Sequence, residues 1–135
     1  MKSDAVKQRR IKSFLLIARE EIQASEKLSA DQPRQAAYFL QQAVEKLVRA
    51  ALEHADIAVG VGHNIQFLSN SLPQGHSLKE RFFEFDDLSP VATRFRYPSS
   101  EGHMSEIGIG AVQQRLSEVK QLEREVLQFL GGGKI

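Results

Sequence analysis

Apolar residues recur at spacings of three and four over most of the chain, which is the pattern of amphipathic helices. The first such segment predicts a helix from about Asp4 to Leu28. Five apolar residues of this segment share one face: Ile11, Phe14, Leu15, Ala18 and Ile22. The charged residues fall mostly on the other faces, so this helix is expected to pack on a core through one side.

A second helix is predicted after a break at the segment LSADQPRQ. Ser29 and Gln32 have the spacing of a capping box, and Asp31 is an alternative N-cap. Pro33 suits the first turn of a helix, which should then run to about His54. Two neighbouring apolar stripes follow: Ala36, Leu40, Ala43, Leu47 and Ala50 in one, and Ala37, Val44, Val48 and Ala51 in the other. A helix that is apolar over so wide an arc should lie at the centre of the fold.

The next part of the chain predicts shorter elements. Gly60 and Gly62 indicate a loop. A short helix is expected over about 64–72 and ends before the turn sequence PQG. Another helix is suggested by the spacing of Leu78, Phe82, Phe85 and Leu88.

A further short helix is predicted from Pro90 to about Arg96, with Ser89 as its N-cap. Tyr97 precedes Pro98, and a residue before proline is disfavoured in the helical region. The stretch YPSSEGH, residues 97–103, is therefore predicted to be a polar loop.

The last helix is predicted to begin near Ser105 and to end at Phe129 or Leu130. The inner face of this helix should carry Val112, Leu116, Val119, Val126 and Phe129. No segment has the pattern of a strand. The sequence thus predicts an all-α fold, an antiparallel up-and-down bundle of long helices with short additional helices. Residues 1–130 should form a single domain, followed by a flexible tail at 131–135.

Composition removes several classes of function. Lys and Arg total 18 against 17 Asp and Glu, so the net charge of +1 gives no overall field for nucleic acid, and contact with RNA requires a local patch. The absence of cysteine excludes disulfides and thiolate metal sites, and the four histidines are too scattered to predict a metal site. We expect no metal and no cofactor. The apolar runs are too short for a membrane helix or a signal peptide, so a cytoplasmic protein is expected.

Three segments, in order, resemble the HEPN domain family. They are AAYFLQQAVEKLVRAAL at 36–52, GHNIQFL at 62–68 and RFRYPSSEGH at 94–103. Their combination at these spacings carries the resemblance, which covers nearly the whole chain. The resemblance implies an all-α up-and-down bundle that is usually a homodimer.

The resemblance also implies candidate functions. Many HEPN domains are metal-independent endoribonucleases, often toxins paired with a small nucleotidyltransferase-like antitoxin. Their signature is an arginine followed a few residues later by a histidine, and here Arg96 and His103 are separated by the six residues 97–102. Active members usually place a polar residue after the arginine, whereas this chain has Tyr97. Members with an RYP-like segment are regarded as nucleotide-binding or partner-binding modules, so Arg94 and Tyr97 are candidate nucleotide- or RNA-binding residues.

The chemistry of RNA cleavage explains why these residue types matter. Attack by a 2′-hydroxyl on phosphorus requires a base, an acid and a cation. Histidine titrates near neutrality, and arginine offers a planar fork to two phosphate oxygens. Such electrostatic stabilisation is worth about 3–4 kcal/mol. One His103 supplies only half of the acid–base chemistry, and a homodimer that faces two Arg96–His103 pairs would supply both halves.

Three interpretations stay open from the sequence. The first is a ribonuclease toxin. The second is a non-catalytic HEPN module that binds a nucleotide or RNA near Arg94, Arg96 and Tyr97, which the identity of residue 97 favours. The third is a helical interaction protein in which Arg94 and Arg96 merely neutralise a helix C-terminus and His103 is an ordinary solvated side chain.

Overall fold

The computed structural model describes residues 3–62, 64–94, 97–104 and 106–131. This part of the chain contains six helices. They are α1 (Asp4–Leu28), α2 (Pro33–His54), α3 (Ile65–Asn70), α4 (Lys79–Phe83), α5 (Leu88–Arg94) and α6 (Ile109–Gly131). These residues contain no strand, and none of their helices is long and apolar enough to cross a membrane. The prediction of an all-α helical bundle is confirmed.

The long helices α1 and α2 form an antiparallel hairpin. Near the turn, the hydroxyl of Ser25 donates to the carbonyl oxygen of Ala36 at 2.9 Å. At the far end, Arg10 pairs with Glu53 at 3.0 Å. The burial of complementary apolar faces between these two contacts stabilises the hairpin, and the Ser25 hydrogen bond and the Arg10–Glu53 ion pair fix its register.

Helix α6 packs against both α1 and α2. Arg19 of α1 pairs with Glu123 of α6 at 3.0 Å, and Lys120 of α6 pairs with Glu26 of α1 at 2.6 Å. Because the later residue of α1 meets the earlier residue of α6, these two helices are antiparallel. Helices α2 and α6 therefore run in the same direction, and both begin at the end of the bundle where α1 finishes.

Helix α2 occupies the centre of the fold, as the two apolar stripes predict. Leu47 and Val48 are fully buried, and so are the small residues Ala36, Ala43 and Ala50. The alanines allow the backbones of neighbouring helices to approach closely. Each fully buried leucine or valine contributes about 1.5–3 kcal/mol relative to an exposed one.

The short helices α3, α4 and α5 close the remaining side of α2. Ile65 and Phe82 are fully buried there. The side chain of Asn64 caps α3 by accepting a hydrogen bond from the backbone N–H of Phe67 at 2.7 Å. The backbone N–H of Ile65 donates to the Ser89 hydroxyl at 2.9 Å, which ties the start of α3 to α5.

The predicted capping of α2 is wrong. Its N-cap is Gln32, whose side chain makes no capping hydrogen bond, and no acidic residue lies in the first turn. Ser29 instead follows α1, where its hydroxyl donates to the carbonyl oxygen of Glu26 at 3.0 Å. The start of α2 at Pro33 is as predicted, because proline lacks the N–H that the first turn leaves unpaired.

The boundaries of the later helices also differ from the predictions. Helix α5 begins at Leu88, one residue before the predicted N-cap Ser89, whose hydroxyl accepts a hydrogen bond from the backbone N–H of Ile65. Helix α6 begins only at Ile109, later than predicted, and the predicted start at Ser105 lies outside the described residues. Phe129 is 40% exposed, and Leu122 and Leu127 are among the residues that bury the last turns of α6. Of the predicted tail, residues 132–135 also lie outside the described residues.

Candidate functional site

The candidate residues lie in the segment that joins α5 to α6. Arg94 is the exposed last residue of α5, and His103 is exposed between the two helices. Tyr97 keeps 59% of its surface accessible. Arg96 lies outside the described residues, so its proximity to His103 stays a prediction.

His103 belongs to a closed turn that Ser99 organises. The backbone N–H of Ser99 donates to the carbonyl oxygen of His103 at 2.7 Å, and the backbone N–H of His103 donates to the Ser99 hydroxyl at 3.0 Å. The N–H of Gly102 donates to the carbonyl oxygen of Ser99 at 2.8 Å, and Gly102 has a φ of 83°, a conformation that favours glycine. The sequence predicts only a polar loop here, whereas the structure fixes the backbone of His103 and leaves its side chain exposed.

The first turn of α2 forms a wall beside this closed turn. The Nη1 of Arg34 donates to the sulfur of Met104 at 3.4 Å, and Met104 directly follows His103. A shallow groove lies between the two segments. Its lining residues are Pro33, Arg34, Met104, Glu106 and Ile107.

Arg34 differs in its surroundings from most arginines of the fold. It is half-buried, and within the described residues its guanidinium has the Met104 sulfur as its one polar contact. By contrast, the guanidinium groups of Arg19, Arg81 and Arg115 each pair with a carboxylate. The positive end of the α2 dipole adds to the charge of Arg34, and the carboxylate of Glu106 on the opposite wall subtracts from it.

Exposed apolar side chains lie on both sides of His103 in the sequence. Tyr97 and Met104 are each 59% exposed, and Ile109 is 44% exposed at the start of α6. The hydrogen bonds between Ser99 and His103 bring the two ends of the turn together. Tyr97 precedes this turn and Met104 follows it, so their backbones lie near each other. The aromatic face of Tyr97 is of the kind that can stack on an unpaired base.

Two other histidines lie at the opposite end of the bundle. The ring of Phe129 contacts His76 at a centroid distance of 4.9 Å and His54 at 5.7 Å. Burial lowers the pKa of His76, and the nearby charge of His54 lowers it further. The described residues contain no group of three or more side chains that could hold a metal ion, and His63 lies outside them.

Sequence reasoning missed Arg34, Met104 and Glu106 as residues of this region. A signal for Arg34 was present, because it directly follows Pro33 in the first turn of a helix, where acidic residues are favoured and cations are not. Met104 and Glu106 carry no such signal, since their approach to α2 depends on the tertiary packing of α6.

Comparison with known families confirms the resemblance. A family model described as HEPN domain matches residues 11–131, a range that includes every residue of the region around His103. No curated protein and no solved structure matches the chain significantly. Since the family match extends over nearly the whole chain and the fold is the helical bundle that it implies, this protein is a member of the HEPN domain family.

Proposed function

We propose that this protein binds RNA at the end of the bundle around His103 and cleaves it as a metal-independent endoribonuclease. Membership of the HEPN family supports a nucleotide- or RNA-related function in general. One observation supports a site at this place. The exposed His103 is held in a closed turn beside the half-buried Arg34, which makes no ion pair within the described residues.

The proposed reaction divides the work between His103 and Arg96. His103 exchanges a proton with the attacking 2′-hydroxyl or with the leaving 5′-oxygen, because an imidazole can both accept and donate a proton. Arg96 places its guanidinium against the two free oxygens of the phosphate as negative charge develops there. Arg94 and Tyr97 contact the strand on the α5 side.

A homodimer completes this chemistry, because one imidazole cannot be base and acid in the same step. Two copies related by a two-fold axis would present two His103 side chains to one phosphate. Ile109, which is 44% exposed at the start of α6, is suited to such an interface. Light scattering at micromolar concentration should give the mass of a dimer, and a strict monomer would contradict this composite site.

The cleavage assay uses purified protein, single-stranded RNA and a chelator of divalent metals. We expect cleavage that persists in the chelator, is lost in His103→Ala and is retained in His54→Ala, a matched loss of a histidine at the opposite end of the bundle. Loss of activity in the chelator, or full activity of His103→Ala, would contradict the proposal. Arg96→Lys should lose most activity, because an ammonium cannot make the planar two-point contact.

A non-catalytic module that binds a nucleotide or RNA is the second candidate. The observation in its favour is Tyr97 followed by Pro98, where active members usually have a polar residue after the arginine. In that case wild-type protein binds RNA or a nucleotide without cleaving it. Arg96→Ala then weakens binding, whereas His103→Ala has little effect.

A partner and a compartment complete the proposal. If the protein is the toxin of a two-gene system, the expected partner is a small nucleotidyltransferase-like antitoxin, and both act in the cytoplasm on cellular RNA. Expression of the chain alone should then arrest growth, and His103→Ala should relieve the arrest. The gene beside this one is the simplest place to look for the antitoxin.

A further inference from the structure

We infer that Arg34 is an RNA-binding residue of the same site, where it contacts a backbone phosphate next to the one that His103 reaches. This inference rests on the proposed function and deepens it. The RNA strand then crosses the first turn of α2 before it meets the turn at 99–103.

The surroundings of the Arg34 guanidinium support this role. A guanidinium carries five N–H donors, and within the described residues Arg34 uses Nη1 on the thioether sulfur of Met104, a weak acceptor. The side chain is half-buried, and within the described residues no carboxylate pairs with its guanidinium. An anionic ligand would supply the acceptors that the fold leaves out.

The position of Arg34 along the helix supports the same conclusion. A cation in the first turn is repelled by the positive end of the helix dipole, so the placement of Arg34 destabilises α2 slightly when no ligand is bound. A phosphate diester at this point neutralises both charges. Its two free oxygens also match the fork of a guanidinium.

The contact with Met104 places Arg34 close to the turn that carries His103. Its Nη1 lies 3.4 Å from the side chain of Met104, and Met104 and His103 are consecutive, with their Cα atoms about 3.8 Å apart. We therefore expect an RNA strand with one phosphate at His103 to place a neighbouring phosphate near Arg34. Glu106 lines the same groove, and its negative charge repels a phosphate there. Removal of this charge should therefore strengthen RNA binding, whereas removal of Arg34 should weaken it.

Binding of a labelled single-stranded RNA, measured by fluorescence anisotropy over a range of salt, tests the inference. Arg34→Ala should weaken binding about tenfold, the change expected from loss of a charge-assisted hydrogen bond. The slope of log K against log salt should fall by about 0.7, the value for one phosphate on a single strand. Glu106→Gln should tighten binding, and Arg34→Lys should fall between wild type and Arg34→Ala.

Arg124→Ala is the matched control, because the substitution removes the same charge from a different part of the fold. Arg124 is an exposed residue of α6 whose side chain bonds to Gln121. Equal affinities and equal salt slopes for Arg34→Ala and Arg124→Ala, with RNA bound by wild type, would overturn the role of Arg34 alone. Wild-type protein that does not bind RNA at all would overturn the proposed function, and this inference with it. In the cleavage assay, Arg34→Ala should raise KM more than it lowers kcat, whereas His103→Ala should abolish turnover.

Discussion

Ser99 holds the backbone of His103 from both sides. Its hydroxyl accepts the His103 N–H at 3.0 Å, and its own N–H donates to the His103 carbonyl oxygen at 2.7 Å. The two residues lie four positions apart, so these bonds close the chain into a small ring. The exposed imidazole consequently projects from a fixed point, which catalysis requires and which an open loop would not provide.

Ser99→Ala should loosen this ring without unfolding the protein. The substitution removes one hydrogen bond, worth about 1 kcal/mol, from an exposed segment, so the melting temperature should change little. Amide hydrogen exchange at His103 should accelerate, and any RNA cleavage should slow through kcat. Ser99→Thr keeps the hydroxyl and should restore both, and exchange at His103 that is unchanged in Ser99→Ala would contradict a positioning role.

Substitution by alanine should destabilise the protein at Gly102 and stabilise it at Gly110. A Cβ at either position has open space, but Gly102 has a φ of 83° and Gly110 lies within α6 without such a conformation. Gly102→Ala should therefore cost about 1 kcal/mol or more through backbone strain. Gly110→Ala should raise the free energy of unfolding by about 0.5–1 kcal/mol, because alanine favours helix. Urea unfolding of both variants measures the difference, and equal effects would contradict the described turn.

The sequence predicted the long helices better than the connections between them. The first helix was predicted to end where α1 ends, at Leu28, and the wide apolar arc of α2 correctly indicated its central position. These features depend on local periodicity. The capping of α2 depends on which group Ser29 bonds, and its hydroxyl bonds to Glu26, a choice that the spacing to Gln32 could not reveal.

For the candidate site, the sequence indicated the residues of one segment but not what packs beside it. The motif predicted His103 as a site residue because residue type and spacing are local properties. Arg34 reaches Met104 only because α2 and α6 begin at the same end of the bundle, and the two residues are far apart in sequence. A pattern within one segment carries no information about such an approach.

Leu47→Ala in α2 should lower the free energy of unfolding much more than Leu16→Ala in α1. Leu47 is fully buried in α2, so its truncation should lower the free energy of unfolding by about 2–5 kcal/mol, through lost burial and a residual cavity. Leu16 is 46% exposed on α1, and its truncation should change that free energy by less than about 0.5 kcal/mol. Denaturant unfolding at low and at high protein concentration checks both. A large cost for Leu16→Ala at high concentration alone would place the dimer interface on α1 instead of around His103.

His76 should make the protein less stable in mild acid. Burial lowers the pKa of His76 in the folded state, and the charge of His54 lowers it further. The unfolded chain, in which histidine titrates near about 6.5, therefore binds the proton more readily. At higher pH His76 is neutral in both states and this effect on stability is absent. The free energy of unfolding falls as the pH drops below about 6.5, because the unfolded chain then takes up the proton first. Protonation would also remove the acceptor for the Leu78 N–H, which donates to the Nδ1 of His76 at 3.1 Å.

Urea unfolding at about pH 7.5 and about pH 5.5, either side of the ordinary histidine pKa, tests this sign. His76→Gln keeps an acceptor for Leu78 and carries no charge at either pH, so the loss of stability between the two conditions should be smaller than in wild type. His54→Gln removes only the lesser, electrostatic cause and should give an intermediate loss. Other groups titrate equally in all three proteins, and the comparison cancels them. An equal loss in wild type and His76→Gln would show that His76 takes up its proton as easily in the folded chain as in the unfolded one, contrary to the packing of its ring on Phe129.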